Sequence, residues 1–251
     1  MSNSVLYLGD TRLTGAASYL AGVMHAHNIG FDYLASDEKF SSSLLGSAHS
    51  VIILSDYPAK NFSTQGLSLL VEKVAEGMGL LMIGGWESFT GPAREYTDTV
   101  LKDVLPVIMQ ADDDRVNCAQ PCLIEKVKDH EILGSLPLKD CTPGIGGFNR
   151  FTAKPDAETI LLARSFEVSL SQGSFIFTPL AQADPLLVTG SFDKARVCAF
   201  ASDVAPHWVG GLVDWGDQRL EAHAPGANPI EVGNWYATLF VNLVKWTGQL
   251  P

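Results

Sequence analysis

Cysteine is scarce in this sequence. Four cysteines occur among 251 residues, at positions 118, 122, 141 and 198, which is too few and too irregularly spaced for a disulfide framework. Cys118 and Cys122 are separated by three residues, but no second pair follows at a spacing that would complete a zinc site. We therefore expect four free thiols.

Basic residues and long apolar runs are also scarce. Lys and Arg total 17 against 28 Asp and Glu, which gives a formal net charge of −11. Such a chain repels phosphate backbones and anionic lipid surfaces, so we expect no nucleic acid and no membrane as partner. No apolar run approaches the ~20 residues of a membrane span, and MSNSVLYLGD lacks the features of a signal peptide. The sequence thus predicts a cytoplasmic protein.

The first hundred residues alternate between strand-like and helix-like patterns. Apolar runs at 4–10, 31–37, 50–58 and 80–85 are typical of buried parallel strands, and residues 16–29 and 65–76 carry apolar positions at helical spacing. This alternation predicts an α/β fold, a flavodoxin-like doubly wound and mostly parallel sheet covered on both faces. We expect residues 1–251 to form a single domain.

The rest of the chain is less regular. Residues 107–185 indicate β-rich insertions with a short helix at 130–136, and residues 185–203 have the pattern of a hairpin. Residues 209–231 are rich in Gly, Pro, Asp and Asn and predict a long loop, and residues 232–248 predict an amphipathic closing helix.

Polar residues end several of the predicted strands. In open parallel sheets the ligand crevice lies outside the carboxyl ends of the strands, so these residues are candidates for a site. Carboxylates that converge there repel one another, and at least one should have a raised pKa or face a cation. The candidate ligand-binding residues are Asp10, Asp56, Trp86, Ser88, Asn149, Arg150 and Trp208. Capping of the following helix is the alternative role for Asp10 and Asp56.

Asp203 and His207 form a second candidate group. An Asp four residues before a His, within a turn that contains Pro206, can orient an imidazole. A metal site needs three or four ligands, and the other nearby candidates, His223 and Glu231, lie in the predicted long loop. We therefore expect no metal and no cofactor. Glu87, Asp203 and His207 are the candidate catalytic acids and bases.

Three segments together resemble a known family. LLMIGGWESF, TVLKDVLPV and RVCAFASDVAPHW are similar to the uncharacterised putative glutamine amidotransferases, relatives of class I glutamine amidotransferases and of trehalose-utilisation-type proteins. The similarity spans nearly the whole chain. It implies a flavodoxin-like sheet with the amidotransferase crevice at its C-terminal edge.

The sequence departs from the class I pattern at the catalytic positions. The resemblance implies a nucleophilic Cys on a tight turn between strand and helix, with a His and a partnering Glu. No residue from Met82 to Phe89 is Cys, and Gly91 and Pro92 interrupt any immediate helix. His207 stands where the late histidine would fall, but the family's nearby glutamate does not follow it.

We therefore expect an amidotransferase-like protein without glutaminase activity that binds a small polar molecule, such as a sugar, polyol or amino-acid-like compound, at the C-terminal edge of the sheet. One alternative is a hydrolase or lyase that uses Glu87, Asp203 and His207 as acid and base. The other is a non-catalytic assembly module with a buried homo-oligomeric interface and an occluded crevice. In each case we expect a homo-oligomer, and the aromatic residues of the closing helix suit its interface if they are exposed.

Overall fold

The computed structural model describes residues 4–46 and 48–251. Its strands are β1 (Val5–Gly9), β2 (Phe31–Leu34), β3 (Val51–Ser55), β4 (Gly79–Ile83), β5 (Val107–Met109), β6 (Arg115–Lys126), β7 (Gly144–Asn149), β8 (Phe151–Ala153), β9 (Glu158–Ser171), β10 (Ser174–Pro179), β11 (Asp184–Phe192), β12 (Ala195–Phe200), β13 (Arg219–Ala222) and β14 (Ile230–Gly233). Its α-helices are α1 (Ser18–Ala26), α2 (Thr64–Glu76), α3 (Leu101–Val104), α4 (Pro206–Val213) and α5 (Asn234–Gly248).

Five parallel strands form the centre of the molecule, in the order β2-β1-β3-β4-β12. Every residue of β1, β3 and β4 is buried, as expected for apolar runs in a sheet that is covered on both faces. The order corresponds to the flavodoxin-like 2-1-3-4-5 arrangement with β12 as the fifth strand. The predicted doubly wound α/β fold is confirmed.

Helices cover the two faces of this parallel sheet. Helix α5 contacts β3, β4 and β12, and α1 packs beside it. Along the sheet, the connection from β1 to β2 and the connection from β3 to β4 run in opposite directions. Because such connections are right-handed, α1 and α2 lie on opposite faces of the sheet. Ser63 caps the N-terminus of α2, because its Oγ accepts a hydrogen bond from the Gly66 N–H at 3.0 Å.

An antiparallel extension continues the sheet beyond β12, in the order β12-β11-β9-β6-β7, with β10 paired to β9. These strands are the predicted β-rich insertions. The end of β7 lies beside the end of β12. The Asn149 N–H donates to the Ala201 carbonyl at 2.9 Å, and Ser202 Oγ donates to the Gly147 carbonyl at 2.8 Å. The extension therefore reaches the carboxyl edge of the parallel strands.

Two local predictions were wrong. The predicted loop at 209–231 contains most of α4 and the antiparallel hairpin of β13 and β14. The predicted helix at 130–136 is a series of turns, in which Gly134 adopts a positive φ of 49° and so interrupts the helical conformation. Among residues 4–46 and 48–251, no helix combines the length and the apolar character that crossing a bilayer requires.

Candidate functional site

The ends of β1 and β3 present two aspartates in an uncommon backbone conformation. Asp10 and Asp56 follow these strands directly and have φ angles of 50° and 48°, in the left-handed region that Asp tolerates better than most residues. The Asp10 N–H donates to the Ser55 carbonyl at 2.7 Å, which extends the pairing of the two strands. Both side chains consequently leave the sheet at its carboxyl edge.

Asp10, Asp56 and Asp203 form a group of three acids that we call the carboxyl cluster. Asp10 and Asp203 are 2% and 5% exposed. Burial raises the pKa of Asp10 well above its usual range, and the neighbouring charges of Asp203 and Asp56 raise it further. The Tyr7 hydroxyl donates to Asp10 Oδ2 and opposes this shift. The prediction that acids at the ends of parallel strands converge therefore identified residues whose charges interact in the folded protein.

The other two acids of the cluster titrate near neutrality. Burial, followed by the charge of Asp203, raises the pKa of Asp56 to about 7. Burial raises the pKa of Asp203 to about 6, although Asp203 Oδ1 accepts hydrogen bonds from the Val204 and Ala205 N–H groups at 2.6 and 3.2 Å. Because ionisation of one member disfavours ionisation of the next, the cluster retains protons at pH values at which ordinary aspartates have lost them.

The segment from Gly84 to Gly91, which follows β4, is held by a side chain from the antiparallel extension. Asn149 Oδ1 accepts from the Gly85 N–H at 2.8 Å, and Asn149 Nδ2 donates to the Gly85 carbonyl at 3.1 Å and to Asp114 Oδ1 at 2.8 Å. Asp114 in turn accepts from the N–H groups of Thr90 and Gly91. We call this segment the corner. No α-helix follows it until α3 begins at Leu101.

Asp56 and Ser88 join the corner to the end of β3. Asp56 Oδ1 accepts from the Glu87 N–H at 2.7 Å, and the Asp56 N–H donates to Ser88 Oγ at 3.1 Å. A Cβ at position 85 would lie 2.2 Å from Asp56 Oδ1, so the close approach requires glycine. Ser88 is buried, and its hydroxyl contacts the backbone at the end of β3.

Trp86 and His207 lie together on one side of the corner. Trp86 is 49% exposed, and its Nε1 donates to His207 Nε2 at 3.4 Å. The Arg115 guanidinium lies 4.2 Å from the centroid of the Trp86 ring, within the range of a cation–π contact. His207 is exposed in the first turn of α4 and favours the ionised form of Asp203, which lowers the pKa of that carboxyl.

Glu87 faces a different space, a crevice of about 530 Å³ that we call the strand-end crevice. Burial raises the pKa of Glu87, and the nearby Lys60 opposes the rise. Among the described residues, no hydrogen bond joins Glu87 to Asp203 or His207, so the three candidate catalytic residues do not form one connected set. The crevice is lined by Thr11, Arg12, Ser36, Asp37, Pro58, Lys60, Asn61 and Glu87.

Four of the seven candidate ligand-binding residues have structural contacts instead: Ser88 and Asn149 hold the corner, and Trp208 and Arg150 lie outside it. Trp208 is buried, and its Nε1 donates to Asn117 Oδ1 at 2.9 Å. Arg150 forms an ion pair with Asp184 at 2.9 Å and is half exposed. None of the seven candidate ligand-binding residues lines the strand-end crevice; of the predicted site residues, Glu87 does. In the described part of the chain, no group of three or more His, Cys, Asp or Glu side chains is arranged to hold a metal ion.

Sequence reasoning missed the cations of the crevice. Arg12 lies two residues after Asp10 and pairs with Asp37 at 2.5 Å, and Lys60 lies four residues after Asp56. Both follow strand ends, so extending the search a few residues beyond each strand would have found them. Asp114 carried no such signal, because its contacts join segments that the pattern does not relate.

The chain is similar to one protein family and to several solved structures. Residues 9–220 match a family model described as putative glutamine amidotransferase, in agreement with the resemblance of the three sequence segments. The cytoplasmic protein STM3548 from Salmonella typhimurium is 26% identical with a TM-score of 0.74, over 97% of this chain and 98% of its own. STM1381 from Salmonella typhimurium LT2, also described as a cytoplasmic protein, is 27% identical with a TM-score of 0.71, over 97% and 98% of the two chains.

A more distant solved structure shares the fold alone. A ThuA-like protein from Parabacteroides merdae is 12% identical with a TM-score of 0.58, over 99% of this chain and 90% of that one. No curated protein matches the chain.

The contacts of Asn149 predict that Asn149→Asp destabilises the protein. The substitution removes both donors and places a carboxylate against Asp114, so we expect a loss of about 3 kcal/mol, seen as a fall in Tm of roughly 6–12 °C. Arg150→Gln is the matched control, since its exposed ion pair contributes less than about 1 kcal/mol. Equal melting temperatures for the two variants would contradict this role of Asn149.

The raised pKa of Asp56 predicts a specific pH dependence of stability. The folded state holds this proton more tightly than the unfolded state, so the contribution of Asp56 is most favourable below its ordinary pKa of 3.8 and is lost as pH rises to about 7. Asp56→Asn keeps the Oδ1 acceptor for Glu87 and removes the ionisation. The variant should gain stability relative to wild type between pH 4.5 and pH 8, by about 3 kcal/mol.

Thermal unfolding at both pH values measures this difference. Asp98→Asn is the control, because the hydrogen bond from Arg94 lowers the pKa of Asp98, so its effect should be small and of opposite sign at this exposed position. A constant difference between Asp56→Asn and wild type across the range would show that Asp56 has no raised pKa.

Proposed function

Because the chain belongs to the putative glutamine amidotransferase family, we propose that it is a cytoplasmic amidotransferase-like protein that binds a small polar molecule in the strand-end crevice and lacks glutaminase activity. The cytoplasmic location is supported by the description of the two Salmonella relatives as cytoplasmic proteins. The position and chemistry of the crevice are the observation that carries the proposal.

The crevice lies where ligands bind in other doubly wound folds. Its lining residues come from the segments that follow β1, β2, β3 and β4. In the order β2-β1-β3-β4, the chain departs from β1 toward one side of the sheet and later from β3 toward the other. This reversal opens a gap between the two connecting segments, which is the usual ligand position in open α/β sheets.

The lining residues support a polar ligand with hydrogen-bonding groups. Thr11, Ser36 and Asn61 offer hydroxyl and amide groups, and Lys60 and Glu87 offer one charge of each sign. The volume of about 530 Å³ lies within the range of small-molecule sites. A sugar, a polyol or an amino-acid-like compound combines the size and the donors and acceptors that this lining can satisfy.

The absence of glutaminase activity is proposed from the corner. The sequence GGWESFTG at positions 84–91 contains no cysteine, and the turn is stabilised by Asn149, Asp56 and Ser88 rather than opening a helix. A nucleophile in class I chemistry needs the amides of a helix N-terminus to stabilise the oxyanion. Cys118 and Cys122 lie in β6, Cys198 is buried in β12, and Cys141 is exposed after the turns at 130–136.

A thermal-shift screen of the purified protein tests the ligand proposal. The panel contains sugars, amino sugars, polyols and amino acids. At about 100 times its Kd, a bound compound adds about 2.7 kcal/mol of stability, which raises Tm by roughly 5–10 °C. We expect Lys60→Ala and Glu87→Ala to weaken binding of that compound at least about tenfold, because each removes a charge from the crevice.

Lys73→Ala is the control for this screen, since Lys73 pairs with Glu76 on the exposed surface of α2. It should retain the full shift. A compound that shifts wild type, Lys60→Ala and Glu87→Ala equally binds elsewhere, and a panel without any active compound would count against the polar-ligand proposal.

Glutamine hydrolysis tests the second part of the proposal. We expect no release of glutamate from glutamine by the wild-type protein, because no thiol lies on the corner. An active glutaminase assayed in parallel is the positive control. Glutamate release that is abolished by Ser at any one of the four cysteine positions would overturn this part of the proposal.

Acid–base chemistry is a second candidate function, and the carboxyl cluster favours it. Asp56 and Asp203 have pKa values raised to about 7 and about 6, near the values that suit a general acid or base at neutral pH. His207 interacts with Asp203 and is accessible from solvent. Conversion of a bound compound, followed by NMR and lost in Asp203→Asn, would favour a hydrolase or lyase over a binding protein.

A further inference from the structure

The β-hairpin of β9 and β10 extends beyond the main sheet. Residues 158–165 of β9 pair with β11 or β6, whereas residues 166–171 pair with β10 alone. The connection is the two-residue turn Gln172–Gly173, with φ angles of 50° and 81°, as in the hairpin turns that match the natural twist of strands. Residues 166–179 therefore form a two-stranded arm.

The register of the arm separates apolar from polar side chains. Residues that lie directly opposite each other share one face of a sheet. The opposed pairs are Phe166 with Pro179, Val168 with Phe177, and Leu170 with Phe175, and we call these six residues the apolar arm face. The other face carries Glu167, Ser169, Ser171, Ser174, Ile176 and Thr178.

Most of the apolar arm face is uncovered in the single chain, although Phe166 and Val168 are partly buried. Leu170, Phe175 and Phe177 are 67%, 70% and 55% exposed. Alternation of apolar and polar residues, which only Ile176 interrupts in this arm, is typical of a sheet with one face packed against other atoms. A two-stranded hairpin without such packing is only marginally stable in water. The pattern therefore indicates a partner for this face.

We propose that this partner is a second copy of the chain, and that two apolar arm faces pack against each other about a two-fold axis. A two-fold contact places the same surface of both copies together, and packing face to face buries the apolar residues that pairing along a strand edge would leave exposed. This inference does not depend on the ligand or the chemistry proposed above.

Charge favours this contact over others between two copies. The chain carries a net charge of −11, yet no charged residue occurs from Val168 to Ala183. Two copies that approach through most other surfaces bring like charges together, which opposes association. Contact through the arm avoids that repulsion.

The available area is sufficient for a specific dimer. Exposed phenylalanine and leucine side chains contribute on the order of 100 Å² each, so the six residues offer roughly 500–600 Å² per copy. Burial of both faces removes about 1,000–1,200 Å² from water, which reaches the lower limit for specific interfaces. The four aromatic and leucine side chains would form the centre of this contact.

The oligomeric state of the full chain tests the proposal. We expect sedimentation velocity and light scattering to give a dimer, with twice the 27.0 kDa mass of the chain, at micromolar concentration. The double substitution Phe175→Ser/Phe177→Ser should weaken the dimer at least about tenfold and yield monomers. Leu170→Ser, a single change at the opposed position, should weaken it less but in the same direction.

Ile176→Ser is the matched control, because Ile176 is 47% exposed on the same strand but on the opposite face. It should leave the dimer intact. A monomeric wild type, a dimer unaffected by the Phe175 and Phe177 changes, or equal weakening by Ile176→Ser would overturn the proposal. If the double variant does not fold by circular dichroism, the comparison of Leu170→Ser with Ile176→Ser decides the question.

Discussion

The hydrogen bonds of the Asn149 side chain to Gly85 are the constraint on which the arrangement of the site depends. One amide group binds both the N–H and the carbonyl of Gly85 and also contacts Asp114. These bonds attach the corner after β4 to the antiparallel extension, so the parallel strands and the extension meet at the corner. With the corner held in this way, Asp56 can accept from the Glu87 N–H while its carboxyl remains beside Asp203.

Two distinct environments result on either side of the corner. On one side, Trp86, Arg115 and His207 form an accessible aromatic and basic surface next to the buried acids. On the other, Glu87 enters a crevice with Lys60 and Arg12, where both signs of charge are present. The positive φ of Gly85 and the close packing of Asp56 against it accompany the divergence of the consecutive Trp86 and Glu87 side chains. The crevice proposed to bind a ligand and the carboxyl cluster are therefore separated by only a few residues.

The sequence was sufficient to predict the parallel core, because continuous apolar strands and amphipathic helices are local patterns. It also identified Asp10, Asp56 and Asp203, since the carboxyl ends of parallel strands meet at one edge. It could not predict the direction of Glu87, which is set by a turn, or the contacts of Arg150 and Trp208, whose sequence neighbours Asn149 and His207 face elsewhere. Asn149 and Gly85 are 64 residues apart, and no local pattern relates them. The hairpin of β13 and β14 was missed because Gly, Pro and Asn are more frequent around it than strand-forming residues.

The protons shared by the carboxyl cluster have a consequence for any molecule that binds beside it. A cationic ligand lowers the energy of the ionised acids and releases protons to the buffer, whereas an anionic ligand takes protons up and a neutral one leaves their number unchanged. The heat of binding of a charged ligand then depends on the ionisation enthalpy of the buffer. Calorimetry in two buffers would reveal the sign of the ligand's charge at the site without knowledge of its pose.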